Sequence, residues 1–89
     1  MLLRRAIGSV LRRLRSARGL TLRQVAAAAG VSLAYLSEIE RGRKEPSSEV
    51  LAAVCRALGI PLVDLLRLAA LELAAAEQPR RRIEVALAA

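Results

Sequence analysis

Between residues 19 and 61 the chain is punctuated at short intervals. Gly19, Gly30, Gly42 and Gly59 each follow a run of periodically spaced apolar residues, and Thr21, Ser32 and Ser47 each stand before one. A hydroxyl in front of such a run caps a helix by accepting an orphaned backbone N–H, and a glycine behind it closes the helix. Helices this short are marginal alone, since an isolated helix in water needs about 12 to 15 residues even to be marginally stable. The chain is therefore confined to a bundle of short helices that bury one another's apolar sides.

The individual segments follow from that punctuation. Ile7, Val10, Leu11 and Leu14 recur at helical spacing with arginines opposite them, which predicts an amphipathic helix over roughly Leu3 to Ala17. Thr21 and Gln24 have the spacing of a capping box and open a second helix over about Leu22 to Ala29. Gly30 supplies the left-handed conformation of a tight turn, and Ser32 caps a third helix from about Leu33 to Glu40. Two short helices joined by Gly30, Val31 and Ser32 make a helix-turn-helix. After the polar loop Arg43 to Pro46, Ser47 opens a fourth helix with Val50, Leu51, Val54, Cys55 and Leu58 on one side. Pro61 precedes a fifth over Leu62 to Leu68, which continues or restarts through Ala69 to Gln78, and Pro79 ends it. With one aromatic residue, Tyr35, and few strand-favouring runs, the fold class is all-α.

Several function classes lose their raw materials. A chain of 89 residues is about one domain, too small for a catalytic cleft between two. One cysteine and no histidine leave nothing for a disulfide, a Cys/His zinc site or histidine acid–base chemistry, and no nucleophile–base pair or phosphate loop is present. The chain reads as no enzyme, with no catalytic residue, metal or cofactor. Cys55 lies in an apolar run and reads as core. Asp64, Arg67 and Glu72 interrupt the longest apolar stretch and Arg4, Arg5, Arg12 and Arg13 break up the N-terminus, so neither a membrane span nor a secretory signal is expected and the location is read as cytoplasmic.

The net charge of +7 is unevenly placed. Residues 1–23 hold seven arginines and no acid, residues 24–78 hold five basic against seven acidic side chains, and residues 79–89 hold three arginines against one acid. Attraction toward a polyanion comes mostly from the ends, while the middle has mixed charge suited to discrimination. The bland alternatives are that the arginines only solvate helix faces, or that the first helix lies on a membrane surface.

Three pieces, TLRQVAAAAGVS, YLSEIERGRKEPS and LAAVCRALGI, stand in the order and spacing of one family. From about Ile7 to Leu68 the chain resembles the lambda-repressor-like (Cro/XRE-type) helix-turn-helix regulators. More narrowly, VSLAYLSEIERGRKEPSSE is similar to the actinobacterial regulators of the Clp protease genes. The resemblance implies a five-helix domain over residues 1–68 that binds double-stranded DNA to regulate transcription, Clp protease genes being the implied target. It leaves residues 69–78 as a helical extension for dimerisation and residues 79–89 as a basic, alanine-rich tail.

In such a unit the third helix enters the major groove and the second crosses the backbone. The resemblance implies that Leu33, Ala34, Ser37 and Glu38 face bases. A carboxylate at Glu38 accepts from the exocyclic amine of cytosine and repels sites lacking that donor; its alternative is an ion pair with Arg41 or Lys44 on a solvated face. Arg23, near the start of the second helix, and Arg41, Arg43 and Lys44 at and beyond the end of the third are the expected phosphate ligands. Tyr35 is expected to donate to a phosphate or stack rather than join the core. Ser47 either offers its N–H to phosphate or simply caps. The resemblance also implies that Arg15 and Glu40 pair structurally, tying the first helix to the third.

One such unit reads too few base pairs to be selective, so a homodimer on an inverted repeat is expected, through Leu65, Leu68 and Leu71; the alternative is that these leucines only cover helices one and four. The last four residues, Ala86 to Ala89, match the ending of the bacterial rescue tag that delivers proteins to Clp proteases, so Ala88 and Ala89 are expected to act as a degradation signal. Replacing both with Asp lengthens the cellular half-life on this expectation, and an unchanged half-life removes it. The same fold also serves antitoxins and restriction-system control proteins, which gene neighbourhood separates. It further serves protein-interaction modules that no longer bind DNA, which salt-dependent DNA binding excludes.

Overall fold

The computed structural model describes residues 1–77; Gln78 and the tail, with the expected degradation signal at Ala88 and Ala89, lie outside the described residues. Five α-helices follow one another: α1 (Leu3–Ala17), α2 (Leu22–Ala29), α3 (Leu33–Glu40), α4 (Ser48–Leu58) and α5 (Leu62–Glu77).

Each expected cap is formed. Thr21 Oγ1 accepts from Gln24 N at 3.0 Å, while Gln24 Oε1 accepts from Thr21 N at 2.8 Å. Ser32 and Ser47 accept from Tyr35 N and Val50 N at 3.0 and 3.2 Å. Gly30, at φ 70°, ends α2 in the left-handed region, and Val31 N reaches back to Ala26 O at 3.0 Å. That pairing satisfies a carbonyl the helix end would otherwise leave orphaned, and it turns the chain sharply into α3.

α1 packs against α3 and α5, and α2 packs against α3 and α4. The core between them takes Ile7, Val10 and Leu11 from α1, Val25 from α2, Leu36 and Ile39 from α3, Leu51, Val54, Cys55 and Leu58 from α4, and Leu65 and Ala69 from α5. No polar or charged residue is buried among the described residues. Cys55 is a core residue whose burial pushes its thiol above the ordinary cysteine range, keeping it protonated. No helix of the described residues is long and apolar enough to cross a membrane.

The sequence left open whether the fifth helix continues or restarts after Leu68, and it assigned Leu65 to a partner. The helix is continuous across residues 68 and 69, and Ala69 is fully buried, so the segment from 69 is part of the packed helix. Leu65 is also fully buried and is not available to a partner, whereas Leu68 and Leu71 are 39% and 59% exposed. Leu65 and Ala69 are four residues apart and share the face that meets the core. Leu68 and Leu71, on another side, do not.

Candidate nucleic-acid interface

α3 has only eight residues, and Leu36 and Ile39 anchor it, both completely buried. Burying each is worth about 2 kcal/mol. Three-residue spacing puts these anchors on one side, so Leu33 and Ala34 are left exposed and Ser37 and Glu38 half-buried at the edge. The four side chains expected to face bases thus lie off the buried face. Tyr35 differs from expectation: it is half-buried, with its side chain packed against the core cluster. Its large ring finds apolar neighbours that the short helix leaves within reach, so core packing is at least part of its role.

Glu38 also finds a different partner. It faces Arg43 at 3.8 Å, not Arg41 or Lys44. α3 stops at Glu40, and Gly42 at φ 72° swings the chain back so that Arg43 N bonds Glu38 O at 3.0 Å. The turn therefore lays Arg43 over the last turn of the helix. With side chains 32% and 63% exposed, the pair is loose and is worth at most about 1 kcal/mol. Both groups remain available to a ligand.

Arg15 and Glu40 make the strong contact. The guanidinium grips both carboxylate oxygens, Nε to Oε2 at 2.8 Å and Nη2 to Oε1 at 2.9 Å, and Nη1 donates to Leu20 O at 3.0 Å. One side chain thus joins α1, α3 and the turn before α2. The hydrogen bonds to Glu40 raise Arg15 above its ordinary value, burial opposes this, and the Glu40 charge adds to the rise. The guanidinium stays charged at any working pH, and both side chains are largely shielded, at 17% and 7% exposed.

The phosphate candidates surround this helix on several elements. Arg23 is exposed in the first turn of α2; Arg41, Arg43 and Lys44 are exposed just beyond α3. Ser47 is exposed but committed as the α4 cap. One cleft brings together Arg12, Arg15, Ser37, Glu40 and Arg41.

Sequence reasoning missed three features here. Arg12 borders this cleft, although in the sequence it is only one of several arginines on the polar side of α1. Gly8 is buried where α1 crosses α3: a Cβ there collides with the carbonyl oxygen of Ile39 and comes within 2.7 Å of that of Glu40. A lone glycine inside a helical pattern was the available signal. Arg4, lastly, donates from Nε to Gly42 O at 3.2 Å, tying α1 to the turn after α3.

A family model described as a helix-turn-helix domain matches residues 6–69. The chain belongs to this family. Its relatives include the transcriptional regulator ClgR of Mycobacterium tuberculosis, 54% identical over 61 residues, a match covering 68% of this chain and 54% of that protein. The chain spans about half the length of the curated relatives it matches. Among solved structures, the clp gene regulator ClgR from C. glutamicum is 55% identical with a TM-score of 0.79, covering 83% of this chain and 96% of that one. The restriction-modification controller protein C.AhdI from Aeromonas hydrophila is 31% identical with a TM-score of 0.68, over 70% and 94% of the two chains. The five-helix helix-turn-helix architecture expected from the sequence is thus the fold of the clp gene regulator, and the Cro/XRE-type family resemblance holds.

Proposed function

We propose that this chain is a sequence-specific regulator of transcription that inserts α3 into the major groove of double-stranded DNA and controls genes of the Clp protease system. The observation that carries the reading is α3 itself. Two buried anchors and the Arg15–Glu40 clamp fix it, while Leu33, Ala34, Ser37 and Glu38 are left off the buried face among exposed arginines. The similarity of the chain to clp gene regulators supports the choice of genes.

On approach to DNA, Arg43 exchanges its loose contact with Glu38 for a phosphate, to which a guanidinium fork is well matched. The carboxylate so released accepts from a cytosine amine; at a pair without that donor it is left desolvated and unpaired. Leu33 and Ala34 offer apolar contact to a thymine methyl. Arg23, Arg41 and Lys44 add phosphate contacts, and the N-terminus of α2 favours an anion beside Arg23. Two copies joined through the exposed leucines of α5, Leu68 and Leu71, present their α3 helices about 34 Å apart to an inverted repeat.

Selection of bound duplexes from a random pool, with wild type and Glu38→Ala at two salt concentrations, tests the reading. The expected product is an inverted repeat containing G·C pairs. Its cytosine preference relaxes in the variant by about 1 to 3 kcal/mol, or about 5- to 150-fold. Failure to enrich any sequence overturns the regulator reading. Enrichment of a single unrepeated site overturns the dimer alone.

A further inference from the structure

A second cleft adjoins the one at Ser37, and the roles above leave Arg5 and Arg12, on its α1 side, without a ligand. Arg5 and Arg12 of α1 form one wall, and Arg41 and Arg43 beyond α3 form the other. Arg12, Glu40 and Arg41 line both clefts, so the two run together along the edge of the recognition helix. Arg5 and Arg12 are seven residues apart, two turns on one face of α1 and about 10 Å along its axis. Arg41 follows Ser37 by four residues and continues that side of α3 into the turn.

Among the described residues that line this cleft the charge is largely uncompensated. The carboxylate among them, Glu40, has both oxygens taken by Arg15. Arg13, at its rim, is held by Glu72 at 3.2 Å, and Arg43 faces Glu38. The side chains of Arg5, Arg12 and Arg41 are exposed and make no hydrogen bond or ion pair among the described residues. Three free guanidiniums therefore converge beside the helix that reads DNA. Close contact of Arg5 with Gly42, where a Cβ would come within 2.7 Å of Arg5 Cγ, fixes the base of that side chain against the turn after α3.

We propose that this cleft seats a backbone phosphate of the duplex on the flank of the bases read by α3, with Arg12 and Arg41 as its main ligands and Arg5 extending the track. The inference rests on the DNA-binding reading above and lengthens the footprint expected from α3 and its loop alone. A phosphodiester suits the site better than an acidic peptide because the cleft is continuous with the Ser37 edge, where the duplex already lies. Guanidinium forks also match phosphate geometry.

The test is binding of the full chain to the enriched duplex across a salt series, comparing wild type, Arg12→Gln, Arg5→Gln/Arg12→Gln and Arg56→Gln. The last residue is exposed on α4 outside both clefts. Each lost phosphate contact lowers the slope of log K against log salt by about 0.9, so Arg12→Gln falls by about 0.9 and the double variant by at least as much, while Arg56→Gln stays at the wild-type slope. The cytosine preference at Glu38 stays intact, circular dichroism stays native, and trimming the flanking base pairs erases the difference between double variant and wild type. An unchanged slope in the double variant, with wild type still binding specifically, overturns the cleft and spares the DNA reading. A difference that persists on the trimmed duplex overturns the flank placement. Absence of salt-dependent binding by wild type overturns both, and an acidic protein surface becomes the ligand to seek.

Discussion

Gly8→Ala lowers the stability of this chain by about 3 kcal/mol, near the upper end of what overpacking usually costs, and the unfolding midpoint falls by about 12 to 24 °C. The reason is that the new methyl meets backbone on the other side: the carbonyl oxygen of Ile39, with that of Glu40 at 2.7 Å and the Glu40 carbonyl carbon at 3.0 Å. A flexible side chain would yield cheaply, but these carbonyls belong to the last turn of α3 and move only if the helix moves. Relief therefore comes from displacing α3, and on the proposed function DNA affinity falls along with stability. Gly59→Ala is the control. Nothing lies within 4 Å of its Cβ position, and only its φ of +72° resists a side chain. It costs about 1 kcal/mol. Urea unfolding of both variants decides the matter: a Gly8→Ala chain within about 0.5 kcal/mol of wild type removes close helix approach as the reason for that glycine.

Glu40→Ala is comparably severe, costing about 3 kcal/mol, because it leaves the Arg15 guanidinium shielded from water without its anion. Arg15→Ala leaves the mirror problem. The double variant Arg15→Ala/Glu40→Ala costs clearly less than the two together, and the cycle returns a coupling of about 1 to 3 kcal/mol. Arg15→Met/Glu40→Leu is nearly neutral in stability, since well-packed apolar residues replace such a pair at little cost. Additive single variants would show that the pair is mere contact. The pH dependence has a definite sign. Arg15 is raised in the folded state, so its contribution is complete below the unfolded value and is lost only in strongly alkaline solution. Coupling is therefore flat through the neutral range.

Much of the fold was legible because its signals are local. Thr21 with Gln24, Ser32, Gly30 and Ser47 each act on backbone groups within a few residues, so their effect is written beside them in the chain. α5 was less legible for a physical reason: LVDLLRLAALELAAA is apolar on nearly every side, so periodicity cannot choose which leucine turns inward. Leu65 was misplaced on that account, and only the packing of α1 and α4 picks it out. The partner of Glu38 was missed because the rule for neighbours within a helix stops where the helix does. The left-handed turn at Gly42 brings Arg43 back over Glu38, out of the sequence neighbourhood that rule covers. Gly8 and Arg12 depend on the meeting of α1 and α3: a lone glycine in a helical run signals a close approach without naming its partner, and nothing around Arg12 sets it apart from the other arginines of α1.

α3 is held by Leu36 and Ile39 inside, Ser32 at its start and Glu40 at its end. Leu33 and Ala34 take no part in that fastening, and the contact at Glu38 is loose. Attachment and vocabulary are thereby assigned to different positions of one eight-residue helix. On the proposed reading, exchange of residues 33, 34 and 38 alters which bases are addressed at little expense to the scaffold, so a lineage carrying this domain is free to acquire new operators by single steps without passing through unfolded intermediates.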